Sequence, residues 1–365
     1  MRPTSRCVSA LLLSCVVLAD GWHQSQASAS RSPDAQASTA GQGATATSAK
    51  APSQSAPSKS STRTLDWADV IEAEVDPAVV TDAGFRDAIK ATGLPWRVRD
   101  KGTSIEMLLI PPGEFVMGKS RGDEVAGDWE LPAHEVKLTT AFYLGRYEVT
   151  QQQYARVTKL APSSLPRSGK PTVPTVDALM ADGATKSQAE REVSEAKEKL
   201  NSWITLQQQT SPNAKGKEWP VETVSWDDCT AFCKMTGMRL PTEAEWEYAC
   251  RAGTRTPRYG ELDEIAWWNA SSEGKTHAVG TKRANALGLH DMLGNVGEWV
   301  DDWWGDYSAD AQTNPKGPTT GTYRVLRSDN WGNVSLVCRA SSRRRDIPSP
   351  PYSYDLIGFR VARTP

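Results

Sequence analysis

Charge imbalance, paired cysteines and clustered histidines are all missing from this chain. Its 42 lysines and arginines stand against 44 aspartates and glutamates, a formal charge of −2 over 365 residues. That balance removes the general electrostatic reason to expect nucleic acid or an anionic membrane as partner. The four histidines, His23, His134, His277 and His290, stand far apart in sequence. No CxxC pair occurs among the cysteines, so a zinc site is poorly supported. After residue 18 no apolar run is long enough to cross a bilayer, which excludes a transmembrane segment in the rest of the chain.

The one apolar run is N-terminal. Met1–Arg6 is short and basic, Cys7–Leu18 is almost wholly apolar, and Val17-Leu18-Ala19 offers small residues for cleavage before Asp20. Residues 1–19 therefore read as a signal peptide, and the mature protein is expected to be exported to a periplasmic or extracellular space. Leu12-Leu13-Ser14-Cys15 resembles a lipoprotein box but lies early in the run, so anchoring at Cys15 is the lesser alternative. Residues 20–63 are Ala, Ser and Thr with scarcely a large apolar side chain, the composition of a disordered tether. Leu65–Thr92 reads as one or two short helices, a lead-in over 64–95. The compact domain is expected from Trp96 to the end, residues 96–365.

Tryptophan is abundant, with 14 in the chain. Gly288 to Trp304 packs three glycines, three tryptophans and four carboxylates into seventeen residues. Glycine is penalised in helices and weakens strands, so a folded loop is expected. Asp291 and Glu298 then offer hard oxygen ligands of the kind Ca²⁺ prefers. The other reading is a tryptophan-rich core loop with solvated acids.

Ile105–Ile110, Glu114–Met117, Phe142–Val149, Thr322–Arg327 and Ile357–Ala362 read as strands. Thr150, Ser225 and Thr242 read as helix caps, the last two followed three residues on by an acid. Residues 161–217 form an insertion with one amphipathic helix, Ala184 to Gln209, read as surface elaboration ahead of a partner site. Short strands, few helices and long loops without a βαβ rhythm make the class α+β. Cys229 and Cys233 share one face of an expected helix and read as buried and inert.

Several motifs are specific in combination. Arg239-Leu240-Pro241-Thr242-Glu243-Ala244-Glu245-Trp246-Glu247-Tyr248-Ala249 resembles the formylglycine-generating enzyme family, the sulfatase-modifying factors. Gly113–Gly118, Phe142–Thr150, Pro220–Trp226, Gly288–Trp299, Arg324–Arg327 with Trp331, and Ile357–Arg360 follow in the family's order. The resemblance implies a complex C-type-lectin-like fold with structural calcium, held here by Asp291, Gly294, Val296 and Glu298. Gly297 replaces a tryptophan common in the family, and the family's other calcium site has no clear counterpart between Ala266 and Gly280. It also implies a Cys250–Cys338 disulfide, which the chain-entropy model values at roughly 4–5 kcal/mol. The family cysteine matched by Cys233 has its partner position at Val361.

Family oxidases convert a sulfatase cysteine to formylglycine with copper(I) and O₂, which needs two thiolates converging on one soft ion. The matching segment, Arg327 to Cys338, holds one cysteine, and Ser328-Asp329 replace two glycines. Copper is therefore not expected. The iron-dependent branch of the fold is not expected either, because clustered histidines and its separate N-terminal domain are missing. No other catalytic constellation emerges, and His134 and His277 read as satisfied local histidines. Asp329, Asn330 and Trp331 with Arg343, Arg344 and Arg345 then form the expected pocket for a peptide or small anion. The arginine run also reads as a solvated loop. The alternative function is a true oxidase with a sulfatase-type protein substrate.

Overall fold

Three helices begin where the sequence places hydroxyl caps. Thr150 with Gln153, Ser225 with Asp228, and Thr242 with Glu245 each make a reciprocal capping box. They start α2 (Gln151–Thr158), α3 (Trp226–Thr236) and α4 (Glu243–Arg251). Each cap contributes about 0.5–2 kcal/mol to its helix. Asp82 caps the earlier α1 (Ala83–Ala91), and α5 (Leu262–Ile265) is a single turn. This computed structural model describes residues 65–160, 180, 185–191, 193–195, 198, 218–349 and 356–365. The expected signal peptide, Cys15 and tether lie outside them, as does most of the 161–217 insertion, of which residues 186–191 are helical.

Strands form three sheets. The five-stranded sheet has the order β1 (Ala68–Glu72), β2 (Arg97–Asp100), β3 (Glu106–Ile110), β6 (Phe142–Gly145), β12 (Ala362–Arg363). Met107 to Ile110 are buried on both faces, which suits their unbroken apolar run. A three-stranded sheet joins β4 (Gly113–Met117), β5 (His134–Leu138) and β8 (Gln312–Thr313). β5 alternates, with His134, Val136 and Leu138 inward. The third sheet runs β10 (Arg344–Asp346), β9 (Arg324–Arg327), β7 (Gly297–Trp303), β11 (Ile357–Gly358). The α+β class and its short strands are as expected from sequence.

Three expectations need correction. The first half of the lead-in is not helix but β1, paired antiparallel with β2, so packing starts well before Trp96. Val70 and Ile71, β-branched neighbours, suit a strand. The Gly288 stretch is loop only as far as Val296; from Gly297 it is strand, hydrogen-bonded to β9 and β11 on its two sides. Two partner strands override the weak preference of one glycine. Finally, Ile357–Ala362 is not one strand. β11 ends in one sheet and β12 begins in another, and Arg360 lies between.

That crossing is held by a buried ion pair. Arg360 donates from Nε and Nη2 to the two oxygens of Glu298, both at 2.6 Å, and Trp246 Nε1 on α4 donates to Glu298 Oε2 at 2.7 Å. Both side chains are fully buried. Nearby, the Arg324 guanidinium lies between two tryptophans, 3.6 Å from the Trp226 ring centre and 3.5 Å from that of Trp303. Replacing Arg360 with methionine leaves Glu298 buried without its cation, and should cost about 3–5 kcal/mol in equilibrium urea unfolding. A loss under about 1 kcal/mol would contradict the role given to this pair.

Candidate functional site

The glycine loop before β7 is a carboxylate cluster. Asp291 and Asn295 take left-handed backbone angles, φ 54° and 57°. Gly294 has φ +80°, and a Cβ there would lie 2.3 Å from the Trp267 carbonyl, so only glycine fits. Asp291 is buried; its Oδ2 accepts the Gly280 N–H at 2.6 Å while Oδ1 has no hydrogen-bond partner. Burial pushes the Asp291 carboxyl up to about 6. Glu148 also points in, accepting from Val296 N–H at 3.1 Å and Asn295 Nδ2 at 2.7 Å. Burial, then the charges of Asp291 and Glu298, hold it well above the usual carboxylate range.

Three buried carboxylates thus face one arginine, Arg360. The shortfall of positive charge and the orphaned Asp291 oxygen fit a hard divalent cation. The four residues expected to hold it do meet here. Glu298, however, is already engaged by Arg360 and Trp246, and the Gly294 carbonyl accepts from Ser328 Oγ at 3.3 Å. Among the described residues no group of three or more His, Cys, Asp or Glu side chains is arranged around a metal position. Backbone carbonyls would have to complete any such site.

The segment after β9 is fastened to this loop. Trp331 N–H donates to the Asn295 carbonyl at 2.9 Å, and Ser272 Oγ donates to the Trp331 carbonyl at 2.8 Å. Ser328 turns with φ 57° and carries Asp329 inward. Asp329 is 1% exposed; Asn333 Nδ2 donates to its Oδ1 at 2.6 Å and Ser342 Oγ to its Oδ2 at 3.2 Å. Burial pushes its carboxyl up to about 6 against the pull of Arg344, whose Nη1 is 3.8 Å away. Asn330 is buried and Trp331 partly exposed, while Val334 and Leu336 are 55% and 56% exposed.

The arginine run does not converge on this segment. Adjacent residues of a strand point to opposite faces, so only Arg344 reaches Asp329. Arg343 is buried against Trp304 and Tyr307 and donates to Glu243 Oε2 at 2.9 Å. Arg345 lies over Trp304 and Tyr323. Asp329, Asn330, Trp331 and Arg344 remain together; Arg343 and Arg345 belong to another face.

The four cysteines among the described residues are all interior. Cys250 and Cys338 are free thiols in this structure, donating at 3.7 Å to the Met292 and Val334 carbonyls, so the bridge implied by the resemblance is not made here. Burial pushes the thiols of Cys233, Cys250 and Cys338 up to about 12. Cys229 is buried on α3, in the same core as Cys233 and Cys250. His134 and His277 are satisfied by the Pro132 and Ser272 carbonyls, and His277 stacks on Trp267 at 3.7 Å.

Sequence reading missed Glu148, Glu243 and Glu247. Glu243 and Glu247 bracket the buried Arg327 at 3.0 and 2.7 Å, and Arg251 Nε donates to Glu247 at 2.8 Å. Their signal was available, since Glu243 and Glu247 are four apart on the face of α4 that also carries Cys250 and Arg251. Glu148 sits in Leu144–Val149, which also holds Arg146, and no local pattern marks its carboxylate as buried.

A family model described as the sulfatase-modifying factor enzyme 1-like domain matches residues 97–365. The formylglycine-generating enzyme of Streptomyces coelicolor is 32% identical over 275 residues, covering 69% of this chain and 87% of that protein. Its Bos taurus counterpart is 29% identical over 284 residues, covering 70% and 74%. Among solved structures, PvdO from Pseudomonas aeruginosa aligns with a TM-score of 0.55 at 25% identity, covering 74% of this chain and 98% of that one.

Asp329 sets a pH dependence. Its folded pKa lies above the unfolded value, so its contribution is full below about pH 4 and is lost as pH rises through about 6. Asp329→Asn should therefore gain on the wild type by roughly 2–3 kcal/mol between pH 4 and pH 7.5 in urea unfolding. A difference between the two proteins that stays flat with pH would show that Asp329 is ionised in the fold without penalty.

Proposed function

Because the chain belongs to the sulfatase-modifying factor enzyme 1-like family, we propose that it is an exported, calcium-stabilised binding module for a peptide or small anion, without the family's copper oxidation. The observation that carries this reading is the segment from Ser328 to Cys338. Copper(I) chemistry of the family kind needs two accessible thiolates. Here the segment has one cysteine, interior and held far into the thiol form, and its exposed side chains are Val334 and Leu336. Beside them stand Trp331, partly exposed, and Arg344, whose side chain is 51% exposed. An aromatic, two aliphatic side chains and a guanidinium suit an apolar peptide side chain flanked by a carboxylate.

Calcium in this reading is structural. Asp291 would be its charged ligand, with Gly294 and Val296 offering carbonyls and Glu298 supplying second-carboxylate charge. The ion would supply the positive charge that Glu148, Asp291 and Glu298 lack. Export rests on the Met1–Ala19 pattern; among the described residues no helix is long and apolar enough to cross a membrane.

Three measurements test these parts. Incubated with copper(I), O₂ and a Cys-x-Pro-x-Arg peptide, the folded protein should yield no aldehyde by mass spectrometry; many turnovers would overturn the binding-module reading. A heptapeptide phage library selected on the wild type should lose its enriched sequences on a Val334→Asp, Leu336→Asp double variant. Millimolar CaCl₂ should raise the melting temperature over EDTA by about 3 °C or more, and Asp291→Asn should remove the rise. No shift in the wild type would sink the calcium assignment.

A further inference from the structure

A large groove lies elsewhere, and one of its walls lies outside the residues matched by the family. It has a volume of about 1020 Å³ and shares no lining residue with the glycine loop or with residues 327–345. Its floor is the β4–β5–β8 sheet, and its opposite wall is α1, which precedes residue 97 where the family match begins. Phe85 and Ala88, one helical turn apart on α1, face Phe115 of β4 and Tyr248 of α4. The three rings form one cluster, with Tyr248 at 6.4 Å from Phe85 and 5.4 Å from Phe115, centre to centre.

One end of the groove is cationic. Arg251 donates from Nη1 to Ser120 Oγ at 3.0 Å and from Nη2 to the Gly118 carbonyl, which ties the 118–121 turn to the residues after α4. Lys119 and Arg121, on either side of that tied serine, line the groove together with Arg255, four residues beyond Arg251. Among the described residues none of the three makes an ion pair. Of the three lining carboxylates two are engaged elsewhere: Asp82 caps α1 by accepting the Phe85 N–H at 2.9 Å, and Glu114 pairs with Lys137 at 2.7 Å. Glu135 is the third lining acid and is exposed on β5. The volume is that of a small-molecule site, and an apolar body with a few convergent polar groups is the usual composition of one.

We propose that this groove is a second binding site, for a small anion with an apolar tail of the medium- to long-chain carboxylate class. The tail lies along Phe85, Ala88, Phe115 and Tyr248, and the carboxylate meets Lys119, Arg121 and Arg255. The lead-in helix thus turns an open sheet face of the family domain into a groove. The proposal stands apart from the peptide or anion reading of the Trp331 segment, and either can fail alone.

Calorimetric titration of the full protein with decanoate, decanol and decyltrimethylammonium, one chain length with three head charges, tests it. Decanoate should bind at one site, and the cationic analogue at least tenfold more weakly. Arg121→Glu with Arg255→Glu should weaken decanoate tenfold or more, and so should Ala88→Glu on the α1 wall, with melting temperatures unchanged because these positions are not in the core. The Val334→Asp, Leu336→Asp variant should bind decanoate as the wild type does. Equal binding of all three head groups, indifference to the groove substitutions, or no decanoate binding by folded protein would each overturn the proposal.

Discussion

The fold depends on the contact between Glu298 and Arg360. Arg360 lies where the chain leaves the four-stranded sheet for the five-stranded one, and its guanidinium reaches both. It holds Glu298 of β7, donates to the Gly145 carbonyl of β6 at 3.1 Å, and touches the His290 and Asp291 carbonyls of the glycine loop at 3.1 and 3.3 Å. Trp246 brings α4 to the same carboxylate. Burying two charges is expensive, and the expense is offset only when every donor and acceptor finds a partner. Here the pair fixes the relative positions of two sheets, a helix and a loop, something an apolar contact of similar volume would do with less directional precision.

A second buried web sets the segment after β9. Arg327, locked between Glu243 and Glu247, is the last residue of β9. With it fixed, the left-handed turn at Ser328 has one direction to take, and Asp329 enters the interior. Two glycines at 328 and 329 would leave this floor bare backbone. In this chain the floor carries an acid, two amides and an arginine, while the aliphatic side chains of Val334 and Leu336 face outward. Polar side chains here face inward and apolar ones outward.

Helix starts were legible because capping is local: Thr150, Ser225 and Thr242 need only residues three positions away. The ordered motifs were legible for a related reason, since each carries a short-range constraint such as Gly294 against Trp267. What was not legible depends on distant partners. β7 is a strand because β9 and β11 flank it, and nothing within Gly297–Trp303 announces either neighbour. The arginine run was read as one patch because sequence adjacency hides the pleat that sends Arg344 one way and Arg343 and Arg345 the other. Glu148 was passed over because its partners, Val296 and Asn295, lie almost 150 residues downstream.

That separation has a consequence for how the chain reaches its fold. Arg360 meets Glu298 across 62 residues and Gly145 across 215. At synthesis rates of about 5–20 residues per second, β6 waits roughly 10–40 s for its clasp to leave the ribosome. Until Arg360 is made, Asp291 and Glu298 have no guanidinium to neutralise them, so collapse around the glycine loop is electrostatically opposed. The glycine loop is therefore clasped to β6 only once nearly all of the chain is made. A clasp made this late closes on elements that have had seconds to form, long against the microseconds that a helix or hairpin needs.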